Sequence, residues 1–178
     1  MKLLILASGS GSLAQALIDA KFDIAAIVTD VEDAPVIKRG ESAGIHVEVI
    51  PFEKPREIWD GKLEKYVASV APDLVVSVGF MRILSRSFVE RFKVINSHPA
   101  LLPNFPGAHA VRDALAANVN ETGCTVHWVD AGVDTGPVIA QVAVPIESGD
   151  DESTLHERIK IVERELIVNT VRRFQEGR

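Results

Sequence analysis

The first candidates for catalytic residues are an asparagine and a histidine two residues apart, in the run Asn96-Ser97-His98-Pro99. If a strand ends here, the alternation of strand side chains places Asn96 and His98 on one face. A carboxamide can donate a hydrogen bond to a developing oxyanion, and a neighbouring imidazole can move a proton. The pair therefore predicts acyl transfer, with a turn cap and a structural histidine as the alternative.

A carboxylate that could act on this histidine is Asp134, in the turn-rich segment from Gly132 to Pro137. An aspartate in such a loop is often a turn former. If the loop folds against His98, the negative charge favours the imidazolium form of the ring. His127 alternates with apolar residues on a predicted strand and is a candidate for a second polar group facing the same cleft.

The glycine-rich segment Ser8-Gly9-Ser10-Gly11-Ser12 follows a predicted strand and precedes a predicted helix. Free helix amides and serine hydroxyls at such a turn suit a phosphate group. The spacing of Gly9, Gly11 and Ala14, with Asp30 after the next strand, also fits a dinucleotide-binding fingerprint. A phosphate monoester, a dinucleotide and a tight turn with a serine cap all remain open.

Apolar runs typical of strands alternate with helical patterns along the first half of the chain. Strands are predicted at residues 2–7, 23–29, 46–51 and 74–80, and helices at 11–20, 36–43 and 56–70. Because the runs Leu3–Leu6 and Leu74–Val78 do not alternate, both predict strands that are covered on two faces. The rhythm predicts a doubly wound α/β fold with a mostly parallel sheet, in which ligands bind at the carboxyl ends of the strands.

In the second half, the pattern predicts a helix at 85–91, a strand at 93–96, a loop at 99–106 and a helix at 109–117. Two strands follow at 124–129 and 138–144, and the segment between them is a hairpin or a crossover. A last helix at about 152–174 carries apolar residues at nearly a 3.6-residue period, with Thr170 interrupting the stripe.

Composition excludes several classes of protein. The 178 residues, 19.3 kDa, suit one domain, and no apolar run approaches the roughly 20 residues of a membrane-spanning helix. The net charge of −6 argues against broad binding to a nucleic-acid backbone, so an anionic ligand needs a local positive patch. The lone Cys124 cannot form an internal disulfide and no zinc-ligand spacing is present, so we expect a metal-free protein of the reducing cytoplasm.

Four motifs together resemble the phosphoribosylglycinamide formyltransferase family, the folate-dependent formyl-transfer enzymes of purine synthesis. They are Ser8-Gly9-Ser10-Gly11-Ser12, Gly79-Phe80-Met81-Arg82-Ile83-Leu84, Asn96-Ser97-His98-Pro99-Ala100-Leu101-Leu102-Pro103-Asn104-Phe105-Pro106-Gly107 and Val133-Asp134-Thr135-Gly136-Pro137-Val138-Ile139. The run from Asn96 to Pro103 is highly specific, whereas the glycine-rich segment alone is weak. The resemblance covers nearly the whole chain and implies a Rossmann-like formyltransferase fold.

The resemblance implies transfer of a formyl group from 10-formyltetrahydrofolate, a co-substrate, to the primary amine of glycinamide ribonucleotide, without a metal. In this mechanism Asn96 polarises the formyl oxygen, His98 is the general acid for the leaving folate nitrogen, and Asp134 favours the protonated histidine.

We expect one domain over residues 1–178, with a phosphate-binding half to about residue 80 and a folate and catalytic half from about residue 81. The expected partners are small-molecule substrates, without nucleic acid or membrane, in a monomer or homodimer.

Further site residues are implied by their positions in the family's motifs. The ribonucleotide would be held by Gly11, Ser12, Leu13, Lys160 and Glu163. The folate would be held by Arg56, Met81, Arg82, Ile83, Leu84, Asn96, Asp130, Ala131, Gly132, Val133 and Asp134. Without the resemblance, Lys160 and Glu163 would form a surface ion pair on a helix, residues 81–84 would begin a helix, and Arg56 would be a solvated helix residue.

One departure and several alternatives accompany the resemblance. Leu13 stands where the family often has asparagine, so only its backbone amide is left for the ligand. A methionyl-transfer-RNA formyltransferase is expected to carry a basic extra domain, and a formyltetrahydrofolate hydrolase a regulatory one. A dinucleotide-dependent oxidoreductase would use Gly9, Gly11, Ala14 and Asp30. That alternative gives no role to Asn96, His98 and Asp134. A non-catalytic ligand-binding module is the other alternative.

Overall fold

A computed structural model of the protein describes residues 1–177 and contains seven strands and six helices there. The strands are β1 (Leu3–Leu6), β2 (Ile24–Thr29), β3 (Val47–Val49), β4 (Leu74–Val78), β5 (Val94–His98), β6 (Glu121–Trp128) and β7 (Val138–Pro145). The helices are α1 (Ser12–Asp19), α2 (Val36–Ser42), α3 (Arg56–Val70), α4 (Arg86–Arg91), α5 (Ala110–Ala116) and α6 (Glu152–Gln175). Each predicted element is present, with ends shifted by a few residues at most.

The strands form one sheet in the order β3-β2-β1-β4-β5-β6-β7. Strand β1 pairs in parallel with both β2 and β4, and β2 pairs in parallel with β3. Strand β7 runs antiparallel to β6, so the segment between these two strands is a hairpin loop and not a crossover. The predicted doubly wound α/β fold with a mostly parallel sheet is confirmed.

Two-sided burial explains why β1 and β4 lack alternation. All four residues of β1 are fully buried, and every residue of β4 is buried as well. A fully buried leucine or isoleucine contributes about 1.5–3 kcal/mol relative to an exposed one, so continuous apolar runs stabilise a strand with helices on both faces. No helix within residues 1–177 is both long enough and apolar enough to span a bilayer.

The chain divides into two compact units, residues 1–95 and a second unit that begins at Asn96. The glycine-rich segment, Arg56 and the segment Met81–Leu84 lie in the first unit. The predicted catalytic residues and helix α6 lie in the second.

Strand β5 continues to His98, two residues beyond its predicted end. It stops before Pro99, which has no backbone N–H to donate to a neighbouring strand. Strand β6 begins at Glu121, earlier than predicted, because its first residues pair with the end of β7 through their backbones. The longer β5 places Asn96 and His98 inside one strand, with Ser97 between them on the opposite face.

Helix α6 begins with a reciprocal capping box. The Asp151 carboxylate accepts from the Thr154 amide at 2.8 Å, and the Thr154 hydroxyl accepts from the Asp151 amide at 3.0 Å. Thr170, which interrupts the apolar stripe, is nevertheless buried, because its hydroxyl donates to the Leu166 carbonyl at 2.8 Å. The buried face of the helix also includes Glu163.

Gly11 is the residue at which α1 begins, and its conformation requires glycine. Its φ is +69°, and a Cβ there would lie 2.5 Å from Val36 Cγ2 and 3.1 Å from Val36 Cα. A side chain at Gly11 would therefore force the start of α2 away from the glycine-rich segment. The N-cap of α1 is this glycine, without a side-chain hydrogen bond, so the serine cap of the purely structural alternative is not present.

We predict that Gly11→Ala lowers the free energy of unfolding by about 2–4 kcal/mol, because strain at positive φ adds to overpacking against Val36. Gly9→Ala is the matched control, since nothing lies within 4 Å of a Cβ at Gly9. Its unfolding free energy should change by less than about 1 kcal/mol. Urea denaturation followed by circular dichroism measures both, and equal midpoints for the two variants would contradict the assignment.

Candidate active site

The carboxylate of Asp134 lies between two histidine rings in the second unit. Its Oδ2 is 3.4 Å from His98 Nδ1, and its Oδ1 is 3.4 Å from His127 Nε2. The β6–β7 loop folds tightly back to make this possible: Asp134 has a φ of +54°, and a Cβ at Gly136 would collide with the Trp128 carbonyl. The predicted approach of Asp134 to His98 is present, so this aspartate is more than a turn former.

His98 has a hydrogen-bond acceptor at each ring nitrogen. Its Nε2 donates to the Phe105 carbonyl at 2.8 Å, because a carbonyl can only accept, and its Nδ1 faces Asp134. The residue is 4% exposed, so water has little access to either nitrogen. Both ring nitrogens of His98 therefore lie beside acceptor oxygens.

His127 connects the asparagine to the aspartate. Its Nδ1 donates to the Trp128 carbonyl at 2.8 Å, and its Nε2 lies 3.3 Å from Asn96 Nδ2 as well as close to Asp134. A neutral ring accepts from the amide, and a protonated ring donates to the carboxylate. Asn96 itself is half-buried, so its carboxamide keeps access to a ligand. His127, only a candidate from the sequence, thus links Asn96 to the Asp134 carboxylate, which contacts His98 directly.

The environment of Asp134 favours its ionised form. Burial works to raise the pKa of this carboxyl, but the hydrogen bond from His127, the Gly107 amide at 2.8 Å and the charges of His98 and His127 together lower it below its usual value. Asp134 is therefore a permanent anion at neutral pH. A buried anion beside an imidazole and a carboxamide can stabilise proton transfer to a leaving group.

Two backbone groups of the proline-punctuated loop complete the cluster. The Phe105 carbonyl fixes His98, and the Gly107 amide fixes Asp134. Phe105 has a φ of +53° and Gly107 a φ of +90°. Backbone partners carry no side-chain signature, so the sequence could not identify them. His127 had a detectable signal in the two-residue period of β6.

Glu163 lies on the other face of β5, where its Oε1 accepts from the Ser97 hydroxyl at 2.8 Å. Both residues are buried. Burial raises the pKa of Glu163 to about 7, while the Ser97 hydrogen bond and the charges of Lys160 and Arg164 act to lower it. Lys160 donates to Glu157 at 2.7 Å, so the surface ion pair between Lys160 and Glu163 that helical spacing alone suggested is wrong.

In the first unit, the Ser8 hydroxyl is already engaged. It donates to Asp30 Oδ1 at 2.5 Å and accepts from the Met81 amide at 2.9 Å. The second carboxylate oxygen of Asp30 accepts from Arg82 Nε at 2.6 Å, and the Arg82 guanidinium lies 4.2 Å from the centre of the Phe52 ring. Both oxygens of Asp30 therefore have protein partners, which argues against the ribose contact that a dinucleotide fingerprint requires.

The segment Met81–Leu84 is a loop, not the start of a helix, since α4 begins at Arg86 after its cap Ser85. Met81 is 61% exposed and Ile83 is 52% exposed, whereas Leu84 is buried. Arg56, the first residue of α3, donates to the Ile83 carbonyl and to Asp60 at 3.1 Å. The structure thus brings Arg56 together with residues 81–84, which present exposed apolar surface.

The loop from Asp130 to Val133 is exposed but internally bonded. Asp130 Oδ1 accepts from the Gly132 amide at 2.9 Å and from the Thr135 hydroxyl at 2.7 Å. The Thr135 hydrogen bond is the main cause that lowers the pKa of Asp130; burial acts to raise it, and the Gly132 amide also lowers it. Val133 and its neighbours remain exposed beside Asp134.

Comparison with known proteins gives a consistent result. The chain matches the family model described as formyl transferase over residues 1–171. A phosphoribosylglycinamide formyltransferase of Mycobacterium tuberculosis (strain ATCC 25618 / H37Rv) is 48% identical over 178 residues, which cover 96% of this chain and 83% of that protein. The enzyme of the same name from Escherichia coli (strain K12) is 38% identical over 188 residues, covering 100% of this chain and 89% of that protein.

Among solved structures, glycinamide ribonucleotide transformylase 1 from Symbiobacterium toebii matches with a TM-score of 0.95 at 36% identity, covering 100% of this chain and 89% of that one. The resemblance indicated by the motifs is confirmed. Matched in this way over nearly its whole length, the chain belongs to the formyl transferase family.

Proposed function

We propose that this protein transfers the formyl group of 10-formyltetrahydrofolate to the primary amine of glycinamide ribonucleotide, in the synthesis of purines. The observation that carries the proposal is the partly buried Asp134 carboxylate held against His98, in one cluster with Asn96. The names and identities of the relatives support the choice of substrates. Both substrates are small molecules, and we assign the reaction to the cytoplasm and to a monomer or homodimer.

In the proposed mechanism, the substrate amine attacks the formyl carbon and forms a tetrahedral intermediate. The Asn96 carboxamide and the protonated His98 stabilise the oxyanion, which has no equivalent charge in the ground state. A proton from His98 passes to the folate nitrogen as the carbon–nitrogen bond breaks, which requires Nε2 to give up its hydrogen bond to the Phe105 carbonyl. The nitrogen of the former amine returns its proton to His98, so the ring is regenerated and the formylated product and free tetrahydrofolate are both neutral at the reacting atoms.

Asp134 and His127 prepare these two groups. The negative charge of Asp134 stabilises the imidazolium of His98, and its lowered pKa keeps that charge present throughout the physiological pH range. His127 lies within hydrogen-bond distance of Asn96 and restricts the orientation of its amide. We assign His127 as a positioning residue of the same cluster.

The ribonucleotide is assigned to Gly11, Ser12, Leu13, Lys160 and Glu163. At the start of α1, Gly11 offers no capping side chain, so the amides of the first turn suit a phosphate group. Leu13 contributes its amide alone. The carboxylate of Glu163 suits the ribose hydroxyls, and Lys160 supplies the positive charge that an acidic protein needs locally.

The folate is assigned to the Met81–Leu84 loop, Arg56, Asn96 and the loop of Asp130, Ala131, Gly132, Val133 and Asp134. The exposed apolar side chains of Met81 and Ile83 suit a flat heterocycle, and Arg56 stabilises the loop that presents them. Asp30 fixes this loop in two ways. It accepts a hydrogen bond from Arg82 directly, and it accepts one from the Ser8 hydroxyl, which in turn accepts from the Met81 amide.

The first prediction of this assignment concerns substrate requirements. Purified protein mixed with 10-formyl-5,8-dideazafolate, a stable folate analogue, and glycinamide ribonucleotide should release the deformylated folate, followed by its absorbance. Omitting either substrate should abolish turnover, because the amine is the nucleophile. Turnover without the ribonucleotide would identify a hydrolase instead, and binding of a nicotinamide dinucleotide without formyl transfer would revive the oxidoreductase interpretation.

The second prediction concerns the catalytic cluster. His98→Ala and Asp134→Asn should each lower kcat by about 10²–10⁴-fold with smaller effects on KM, because proton transfer in the transition state is lost.

His46→Gln is the matched control for a histidine substitution, because His46 is exposed and bonded only to Glu48 in the described structure. Its kcat should equal that of the wild type. Near-normal kcat in both His98→Ala and Asp134→Asn would refute the assignment of the cluster.

A further inference from the structure

The side chains of β5 alternate between two faces of the strand, and a serine lies on the face opposite to the proposed reacting groups. Asn96 and His98 point to the cluster around Asp134, and Ser97 points to α6, where it donates to Glu163 at 2.8 Å. The strand therefore carries the proposed reacting groups on one side. On its other side it holds a residue proposed to bind the ribonucleotide.

The carboxylate of Glu163 has few neighbours that favour its charge. The groups that face it are the Ser97 hydroxyl from β5, the Cys124 thiol from β6, and Lys160 and Arg164 from its own helix. Burial and the charge of Glu163 raise the pKa of Cys124 to about 12, so this thiol stays neutral. Lys160 is engaged with Glu157, so Ser97 is the direct donor to Glu163.

We propose that Ser97 is a positioning residue for ribonucleotide recognition: its hydroxyl favours the ionised form of the Glu163 carboxylate and holds it in one orientation, to accept the ribose hydroxyls of the substrate. The inference rests on the proposed function, which assigns Glu163 to the ribonucleotide. A carboxylate accepts through both oxygens. When the Ser97 hydroxyl donates to Oε1 of Glu163, the other acceptor positions of that carboxylate have a fixed direction relative to the backbone of Asn96 and His98.

The hydrogen bond from Ser97 affects how the Glu163 carboxylate can bind a substrate. A hydrogen bond to a charged group is stronger than one between neutral groups, and loss of a buried donor leaves the carboxylate unsatisfied. Without the donor, Glu163 gains a proton more readily. A protonated carboxyl offers fewer acceptor positions for two ribose hydroxyls.

The test compares Ser97→Ala with the wild type in steady-state assays that vary each substrate. Ser97→Ala should raise the KM for glycinamide ribonucleotide about 5–20-fold at pH 7, at or below the lower end of the effect of a lost charge-assisted hydrogen bond, because Ser97 acts on the substrate only through Glu163. The kcat should change less than about threefold, and the KM for the folate should be unchanged.

The pH profile of kcat/KM for the ribonucleotide gives the second readout. Because the Ser97 hydrogen bond lowers the pKa of Glu163, its removal raises that pKa further, and the acid limb of the profile should move to higher pH. The deficit of Ser97→Ala should therefore shrink as the pH is raised toward 9. Ser97→Thr keeps the hydroxyl and should restore both the KM and the profile, and Glu163→Gln should lose the acid limb.

The outcomes are distinct. An unchanged ribonucleotide KM and pH profile in Ser97→Ala would overturn the role of Ser97 while leaving the proposed function intact. Ser97→Ala could instead lower kcat and raise the KM of both substrates to the same extent, with a lower melting temperature and no rescue by Ser97→Thr. That result would show a structural role and would also overturn the proposed role of Ser97. Absence of ribonucleotide-dependent turnover in the wild type would overturn the proposed function, and this inference with it.

Discussion

The arrangement of the second unit depends on keeping the Asp134 carboxylate ionised while it is largely buried. A buried charge is costly unless it is paired and hydrogen-bonded, and three groups meet that requirement here: the Gly107 amide, His98 and His127. These groups come from a loop and from two strands. The ends of β5 and β6, the proline-punctuated loop and the β6–β7 hairpin must therefore converge on one carboxylate, which explains the positive φ of Asp134 and the close approach at Gly136.

The second buried carboxylate of this unit behaves differently, for a physical reason. Asp134 receives a backbone amide and two imidazoles, and its pKa falls below the usual value. Glu163 receives one serine hydroxyl, and burial raises its pKa to about 7. The difference in donors separates a permanent anion from a group that titrates near neutrality. Strand β5 contacts both, so its residues, at a two-residue period, set two electrostatic environments at once.

Much of this could be predicted from the sequence, and the rest depends on loops. The alternation of Asn96 and His98 on one face follows from strand geometry, and the elements follow from apolar periodicity. The backbone partners at Phe105 and Gly107 depend on φ values that no side chain specifies. Without the family resemblance, Glu163 would be assigned to a surface ion pair, because helical spacing cannot report which face of α6 is buried when a charged residue lies in the apolar stripe.

The glycine-rich segment shows how one strand–turn–helix unit can serve different chemistry. In a dinucleotide-binding site, an acidic residue after the second strand is free to accept from a ribose. Here Asp30 follows β2 at the corresponding place, but one oxygen accepts from Ser8 and the other from Arg82. The same carboxylate therefore ties the end of β1 to the loop after β4, and what it organises is the exposed Met81–Leu84 surface. A spacing motif identifies the turn, and only the partners of the acidic residue decide which ligand the turn can hold.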